Sequence, residues 1–224
     1  MERVKFLIKG FVTNLVFSAI LFVCAGRVNY PQAWLFLFVN LLATLMNYFT
    51  IHKNSELMSE RSKPGEGIKS WDKLLLALSA LVYLFIIITA GLDSGRFNGQ
   101  TGFNGYISLP GLILMLTGQV VFLTARSQNQ FFSSVVRIQK DRGHQVCDRG
   151  LYKLVRHPGY LGMTLSLMSL PLITSSVWSI IPTSLAIVLL WVRTSLEDKT
   201  LCLELGGYSA YTKKTPYKLI PLVW

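Results

Sequence analysis

The sequence predicts an all-α chain: a polytopic membrane bundle of about six helices, the last two forming a short hairpin. A cytoplasmic loop before the hairpin and a tail after it complete the expectation. Three observations predict this. Apolar residues make up 51% of the chain and charged residues only 15%, well under the ~25% of a soluble domain. Charge is missing from whole blocks and not merely diluted. The basic residues collect in alternate connections.

Residues 10–26, 33–51, 74–92 and 107–125 each lack Asp, Glu, Lys and Arg. His52 and Lys53 bound the second block, Lys73 and Asp93 the third; Arg96 and Arg126 mark the remaining edges. Crossing a hydrocarbon core of ~30 Å takes roughly 17–25 helical residues, so each block predicts a transmembrane helix. A cleaved leader is the competing reading of residues 1–26. Bulky Val23 before Cys24, and Asn14 within the apolar run, favour a retained helix.

Residues 54–72 form a polar inner connection centred on Lys63-Pro64-Gly65-Glu66-Gly67. Residues 93–106 form a Gly- and Asn-rich outer loop without recognisable chemistry. Residues 126–158 are the longest connection. They are neither Ser/Pro-rich nor of one charge sign, which points to function over disorder.

From His157 to Val192 no acidic or basic residue occurs apart from His157 itself. One helix of that length would be about 54 Å long. Thr174-Ser175-Ser176 near its middle, with Pro171 and Pro182 on either side, predicts two short helices over roughly 159–174 and 177–193. Each is near the lower limit for spanning, so a full crossing and a re-entrant hairpin both stay open. Apolar spacing continues through Leu196, Leu201, Leu203 and Leu205, with Gly206-Gly207 as the expected cap. The tail aromatics Tyr208, Tyr211, Tyr217 and Trp224 suit a membrane interface.

Six crossings leave only Arg27 and Arg96, of 22 Lys and Arg residues, on the outer side. Arg3 through Lys9, Lys53 through Lys73, Arg126 through Arg156 and Arg193 through Lys218 fall inside. Basic residues mark cytoplasmic loops, which predicts cytoplasmic termini: in the inner membrane of a prokaryote, or the endoplasmic reticulum of a eukaryote. The net charge of +11 is then a basic face against anionic membrane lipids, and no nucleic-acid partner is needed. Cys24, Cys147 and Cys202 form no CxxC pair. His144, Cys147 and His157 lack a fourth ligand at sensible spacing, so no metal is expected. Gly91-Leu92-Asp93-Ser94-Gly95 and Leu203-Glu204-Leu205-Gly206-Gly207 follow no strand and complete no nucleotide-loop spacing.

Candidate chemistry lies at the two ends of the hairpin. The residue before a proline leaves the α region, and proline favours the first helical position. A helix is therefore expected to start at Pro158, with His157 at its N-cap. Free N–H groups there, with Arg156 alongside, suit an anion; a headgroup contact with a capping His is the plainer reading. Arg193 and Glu197, at i,i+4, share a helix face. If the hairpin is tight, Arg156-His157 and Arg193-Glu197 face one pocket. That is a claim about geometry: His157 and Glu197 close together at the cytoplasmic side.

The ordered set Gln139; Gly143-His144-Gln145-Val146; Gly150-Leu151-Tyr152; Arg156-His157-Pro158-Gly159-Tyr160-Leu161-Gly162; Arg193-Thr194-Ser195-Leu196-Glu197-Asp198; Gly207-Tyr208-Ser209-Ala210-Tyr211; and Leu219-Ile220-Pro221 resembles the isoprenylcysteine carboxyl methyltransferase family. That family lies within the integral-membrane methyltransferases that include phospholipid methyltransferases. The resemblance covers roughly residues 126–224; Arg-His-Pro-x-Tyr alone is shared with related membrane sterol reductases. It implies S-adenosylmethionine as cofactor, touched by Gln139, His144, Gln145, Val146, Cys147, Tyr152, His157, Pro158, Gly159, Tyr160 and Glu197. It implies Arg193 on the substrate side, with Arg193 and Glu197 as the catalytic residues. The family's acidic pair is usually two glutamates; here the second is Asp198, which is left outside the expected site.

The resulting expectation is a methyltransferase acting on a lipophilic, prenylated acceptor that enters from the bilayer. Residues 1–125 would supply scaffold and acceptor access, and residues 126–224 the cofactor loop, hairpin and catalytic tail of the same integrated domain. A carboxylate acceptor is favoured and needs no general base. For an amine or phospholipid acceptor, His157 or Glu197 could take the proton. An NADPH-dependent reductase of related fold, and a transporter or membrane scaffold, are the other readings. Transporters tend to show repeats and mid-membrane polar residues, and this chain crowds its polar residues at one face.

Overall fold

A computed structural model describes residues 2–51, 55–97 and 105–224. His52, Lys53, the side chain of Arg3 and half of the expected Gly/Asn-rich outer loop, residues 98–104, lie outside the described residues. The described chain is helical: α1 Glu2–Ala25, α2 Pro31–Ile51, α3 Ser55–Ser62, α4 Ser70–Ala90, α5 Gly105–Gln128, α6 Pro158–Thr174, α7 Ile180–Glu204 and α8 Tyr208–Lys214. A π-helical turn, Gly91–Phe97, extends α4.

The four expected spans correspond to α1, α2, α4 and α5, and the hairpin to α6 and α7. Five of these helices, all but α6, are long and apolar enough to cross a membrane. Their outward faces carry exposed Val12, Val16, Phe38, Leu81, Phe85, Ile113 and Leu185, as lipid contact requires. Inside, Leu21, Phe36, Ile86, Ile87, Met115, Leu170, Ile173 and Ala186 form one buried cluster drawn from six helices. The α5–α6 crossing is close because it is glycine on glycine. A Cβ on Gly118 would meet the Gly162 carbonyl at 2.6 Å, and a Cβ on Gly162 would meet the Gly118 carbonyl at 2.6 Å. Small residues let membrane helices approach backbone to backbone.

α6 has 17 residues, about 25 Å of helix, yet it reaches the far end of the bundle. Ser176 Oγ and the Trp178 N–H donate to Asp93 at 2.8 and 3.1 Å. Tyr30, between α1 and α2, donates to the Thr174 carbonyl at 3.4 Å. The hairpin turn thus lies level with the α1–α2 turn and the end of α4, as in a full crossing. Ser175, in the left-handed region at φ 54°, closes the helix.

The basic connections gather at the opposite end. Arg137 meets Glu60 at 2.7 Å, Lys69 meets Glu204 at 2.6 Å and Arg156 meets Asp198 at 2.8 Å. Residues 55–73, 129–157 and 193–224 therefore share one face, the sorting implied by the charge pattern. Two local expectations change. The polar connection 54–72 contains α3, which buries Leu57 and Met58 under the long loop. α7 caps at Leu205, and Gly207, at φ 83°, starts α8 instead of ending α7.

Candidate active site

Pro158 occupies the first position of α6, and His157 is its N-cap at φ −126°. The turn is fastened to the tail: Arg156 N–H donates to Tyr217 O and His157 N–H to Lys218 O, each at 2.9 Å. The Arg156 side chain grips Asp198 through Nε and Nη2, at 2.8 and 2.9 Å, and donates Nη1 to the Thr215 and Pro216 carbonyls. His157 Nε2 lies 3.1 Å from the same carboxylate, and Tyr208 Oη donates to it at 3.0 Å. Burial lowers the Arg156 pKa, but hydrogen bonds and charge from Asp198 outweigh this and raise it. Burial, then the Asp198 charge, raises Tyr208 and keeps its phenol neutral.

One helical turn into α6, Tyr160 Oη donates to Glu197. The His157 and Tyr160 rings are 5.8 Å apart between centroids. Tyr160 therefore links the two ends of the hairpin, and His157 and Glu197 line one cavity. Arg193 does not pair with Glu197 along its own helix. Its Nε and Nη2 bind Asp72 of α4 at 2.7 and 3.3 Å, and Nη2 also donates to Ser134 O at 3.0 Å. Asp72 is fully buried, and a buried carboxylate left unpaired is costly, so the neighbouring helix claims the cation. Asp72 Oδ2 also accepts the Val136 N–H at 2.8 Å. One ion pair thereby ties α4, α7 and the long loop.

The loop from 129 to 157 is ordered by anchors. Arg137 binds Glu60 through Nε and Nη2, at 3.0 and 2.7 Å, and Asp141 through Nη1 at 2.8 Å. Burial raises Glu60, but bonds from Arg137 and Ser133 reverse this and lower its pKa. Gln139 donates Nε2 to Phe131 O at 2.7 Å, and its N–H meets His144 Nδ1 at 3.3 Å. Cys147 Sγ contacts Gln128 O. The carbonyl of buried Tyr152 accepts from Tyr211 Oη at 2.6 Å. The Phe132 ring occupies the space a Cβ on Gly159 would need, at 2.6 Å; only glycine lets the loop close against α6 there.

His144 is pushed down to about 4, first by burial and then by the charges of Arg137 and Arg142, with Glu60 opposing. It is neutral near pH 7. The unfolded chain takes up this proton from about pH 6.5 downward, before the folded chain can. The stability held in neutral His144 is therefore complete above pH 6.5 and lost as pH falls toward 4. The thermal midpoint of the wild type should drop more steeply over that window than that of His144→Gln; parallel curves would rule His144 out as the source.

All these elements enclose a cavity of about 590 Å³. Its polar wall carries Gln139, His144, Gln145, Val146, Cys147, Tyr152, His157, Gly159, Tyr160, Arg193 and Glu197. The structure thus brings together every expected contact except Pro158, which is buried at the helix start and is not a lining residue. A second arm runs among α2, α4, α5, α6 and α7 past Asn40, Tyr83, Met115, Phe122, Leu167 and Leu190. Among the described residues, no lining residue comes from α1.

Sequence reasoning missed Asp198, which lies behind the wall and organises it. It also missed Glu60 and Asp72; Asp72 stands two residues before an apolar block, but Glu60, between Glu56 and Glu66, carries no such signal. Tyr208 and Tyr211, read as interfacial aromatics, are instead buried against Ala125, Tyr152 and Leu205. Their hydroxyls find partners inside the fold, and that decides against the interface.

Residues 111–203 match the model of the "Isoprenylcysteine carboxyl methyltransferase (ICMT) family". The match starts inside α5, upstream of the quoted residues, and ends within α7, short of the tail. Two rice proteins, from the indica and japonica subspecies of Oryza sativa, carry the name "Probable protein-S-isoprenylcysteine O-methyltransferase". Each is 34% identical over 58 residues, 25% of this chain and 30% of the relative. A Delta(14)-sterol reductase of Mus musculus is 29% identical over 133 residues, 50% of this chain and 30% of its own length. The aligned stretches thus span about a third of each curated relative. The family this chain resembles is the isoprenylcysteine carboxyl methyltransferase family, and residues 111–203 carry the resemblance.

Proposed function

We propose that this protein is an integral-membrane methyltransferase that moves a methyl group from S-adenosylmethionine to a carboxylate on a lipophilic, prenylcysteine-type acceptor. One observation carries this reading: a single cavity joins a polar wall containing Glu197 and His157 to an arm among the helices α2, α4, α5, α6 and α7. Pockets of this size take small molecules of cofactor size.

The residues present fit the methyl donor. Glu197 offers a carboxylate for its ammonium. Pro158 has no N–H, and those of Tyr160 and Leu161 are bonded to the His157 carbonyl; the Gly159 N–H, beside the His157 ring, is left to suit its carboxylate. Val146, Tyr208 and Tyr211, all lining residues, present apolar and aromatic surface for a purine. Bound there, S-adenosylmethionine supplies an electrophilic methyl on a sulfonium. The protein's part is positioning in a water-poor site. An acceptor carboxylate is ionised at neutral pH, so one oxygen would bond the methyl carbon as the carbon–sulfur bond breaks and a neutral thioether leaves, and no side chain would remove a proton. Arg193, fixed by Asp72, lays its guanidinium 5.4 Å from the Tyr160 ring centroid and keeps positive potential where the acceptor anion would sit. The basic end of the bundle faces the cytoplasm in this reading.

Titration of the detergent-purified protein with S-adenosylmethionine and with NADPH tests the class. The sterol reductase match gives NADPH its place in the trial, and binding of NADPH alone would overturn the reading. Label recovered as a base-labile ester identifies a carboxylate acceptor; a stable N-methyl product identifies an amine. Glu197→Gln removes a charge-assisted contact worth about 1.5–3 kcal/mol. S-adenosylmethionine affinity should therefore fall roughly ten- to a hundredfold, read by calorimetry. Unchanged affinity would remove Glu197 from the donor site.

A further inference from the structure

Four arginines line the cavity: Arg61, Arg137, Arg156 and Arg193. Three are paired with carboxylates. Arg137 holds Glu60 and Asp141, Arg156 holds Asp198, and Arg193 holds Asp72. Arg61, in the last turn of α3, has no carboxylate partner among the described residues. The adjacent Glu60 is already spent on Arg137. Among the described residues, Arg61 Nη1 reaches only the Phe132 carbonyl, at 3.5 Å, and its buried Nε has no hydrogen-bond partner. Its guanidinium carbon lies 5.7 Å from the Phe132 ring centroid.

Arg61 is half-buried; a partly desolvated cation without a counter-ion carries a cost, and one that lines a cavity can recover it from an anion entering there. Burial, then the charge of Arg193, pushes Arg61 down to about 10, still protonated near pH 7. Contrast Arg126, which is fully buried but satisfied by Asn47 and Thr50 and outside the lining. Phe132, the neighbour of Arg61, packs edge-on against Phe122, a residue of the second arm, and covers Gly159 on the polar side. Arg61 thus stands near the junction of the two arms.

We propose that Arg61 binds the carboxylate of the lipophilic acceptor; this rests on the methyltransferase reading above. Planar guanidinium matches planar carboxylate, and most of the Arg193 fork is already taken by Asp72 and Ser134. The acceptor's anchor is therefore Arg61, on a segment outside the family match at 111–203, with Arg193 as a fixed neighbour. The other carboxylate that could reach it belongs to S-adenosylmethionine, and the test separates the two.

Arg61→Gln and Arg61→Lys would be purified in detergent. Three quantities are read: S-adenosylmethionine affinity, KM for an N-acetylated S-prenylcysteine, and inhibition by the matching neutral carboxamide. Arg61→Gln should leave donor affinity within about threefold, raise the acceptor KM at least about tenfold and leave carboxamide inhibition unchanged. Arg61→Lys should recover part of the acid's advantage over the amide. It carries the test if Arg61→Gln does not fold, and a lysine variant with the wild-type acid-over-amide preference and KM would then overturn the proposal. Loss of donor affinity with unchanged acceptor KM assigns Arg61 to the methyl donor and overturns it. Equal loss for acid and amide makes Arg61 structural and also overturns it. A wild type that neither binds the donor nor forms ester sinks the methyltransferase reading and this proposal with it. An active wild type matched by Arg61→Gln sinks this proposal alone.

Discussion

Asp198→Asn is expected to remove about 3–5 kcal/mol of stability, the typical cost of leaving one member of a buried ion pair unpaired. For a chain of this length that corresponds to a fall of roughly 6–20 °C in the thermal midpoint. The reason is concentration of function. One carboxylate receives Nε and Nη2 of Arg156, faces His157 Nε2 and accepts Tyr208 Oη. Asparagine keeps the shape but returns only one acceptor and no charge. Arg156 would retain its bonds to the Thr215 and Pro216 carbonyls without a counter-ion. The turn at His157 would loosen, and donor affinity should fall with the midpoint. Asp198→Glu keeps the charge and should recover at least half of the lost stability. Thermal unfolding followed in detergent checks this; a wild-type midpoint in Asp198→Asn would remove Asp198 as the organiser of the site.

Arg193→Ala is expected to cost a similar amount, about 3–5 kcal/mol, and to abolish turnover. Asp72, fully buried, would lose both its contacts from Arg193, at 2.7 and 3.3 Å, while still holding the Val136 N–H. The single variant therefore mixes damage to the fold with damage to the chemistry. Pairing Arg193→Met with Asp72→Asn separates them. Replacing a buried ion pair by neutral groups of similar size is often nearly neutral for stability, so the double variant should regain most of the midpoint. Its methyl transfer should stay at least about a hundredfold down, since the fixed positive charge is gone; at 1.36 kcal/mol per decade that is a loss of about 3 kcal/mol of transition-state stabilisation. Recovery of both stability and turnover would leave Arg193 with a scaffold role only.

How much was legible in advance follows from range. Helix positions depend on apolar runs, which are local, so the four early spans and the hairpin could be read directly. Pro158 at the first turn of α6 and the break near Thr174 are local as well. The sorting of basic segments to one end is a property of order along the chain, and Lys69–Glu204 and Arg137–Glu60 bear it out. The choice of ion-pair partner is not local. Spacing offered Arg193 a neighbour at Glu197; packing gave it Asp72, 121 positions away. The same holds for Tyr208 and Tyr211, whose amphipathic character suits a membrane surface equally well. Only their hydrogen bonds to Asp198 and Tyr152 show that they face inward.

The sequence by itself determined that charge avoids the bilayer, where each span lies, and which residues could carry chemistry at the two ends of the hairpin. Hydrophobic patterning and proline stereochemistry act through near neighbours and needed nothing more. The tertiary structure alone decided which acids neutralise which arginines, and therefore which cation is left over. Buried charge is settled by three-dimensional proximity at a cost of several kcal/mol for each error. That is why Asp198 emerges as a hub, Arg193 as a tethered neighbour and Arg61 as the cavity arginine without a carboxylate partner among the described residues.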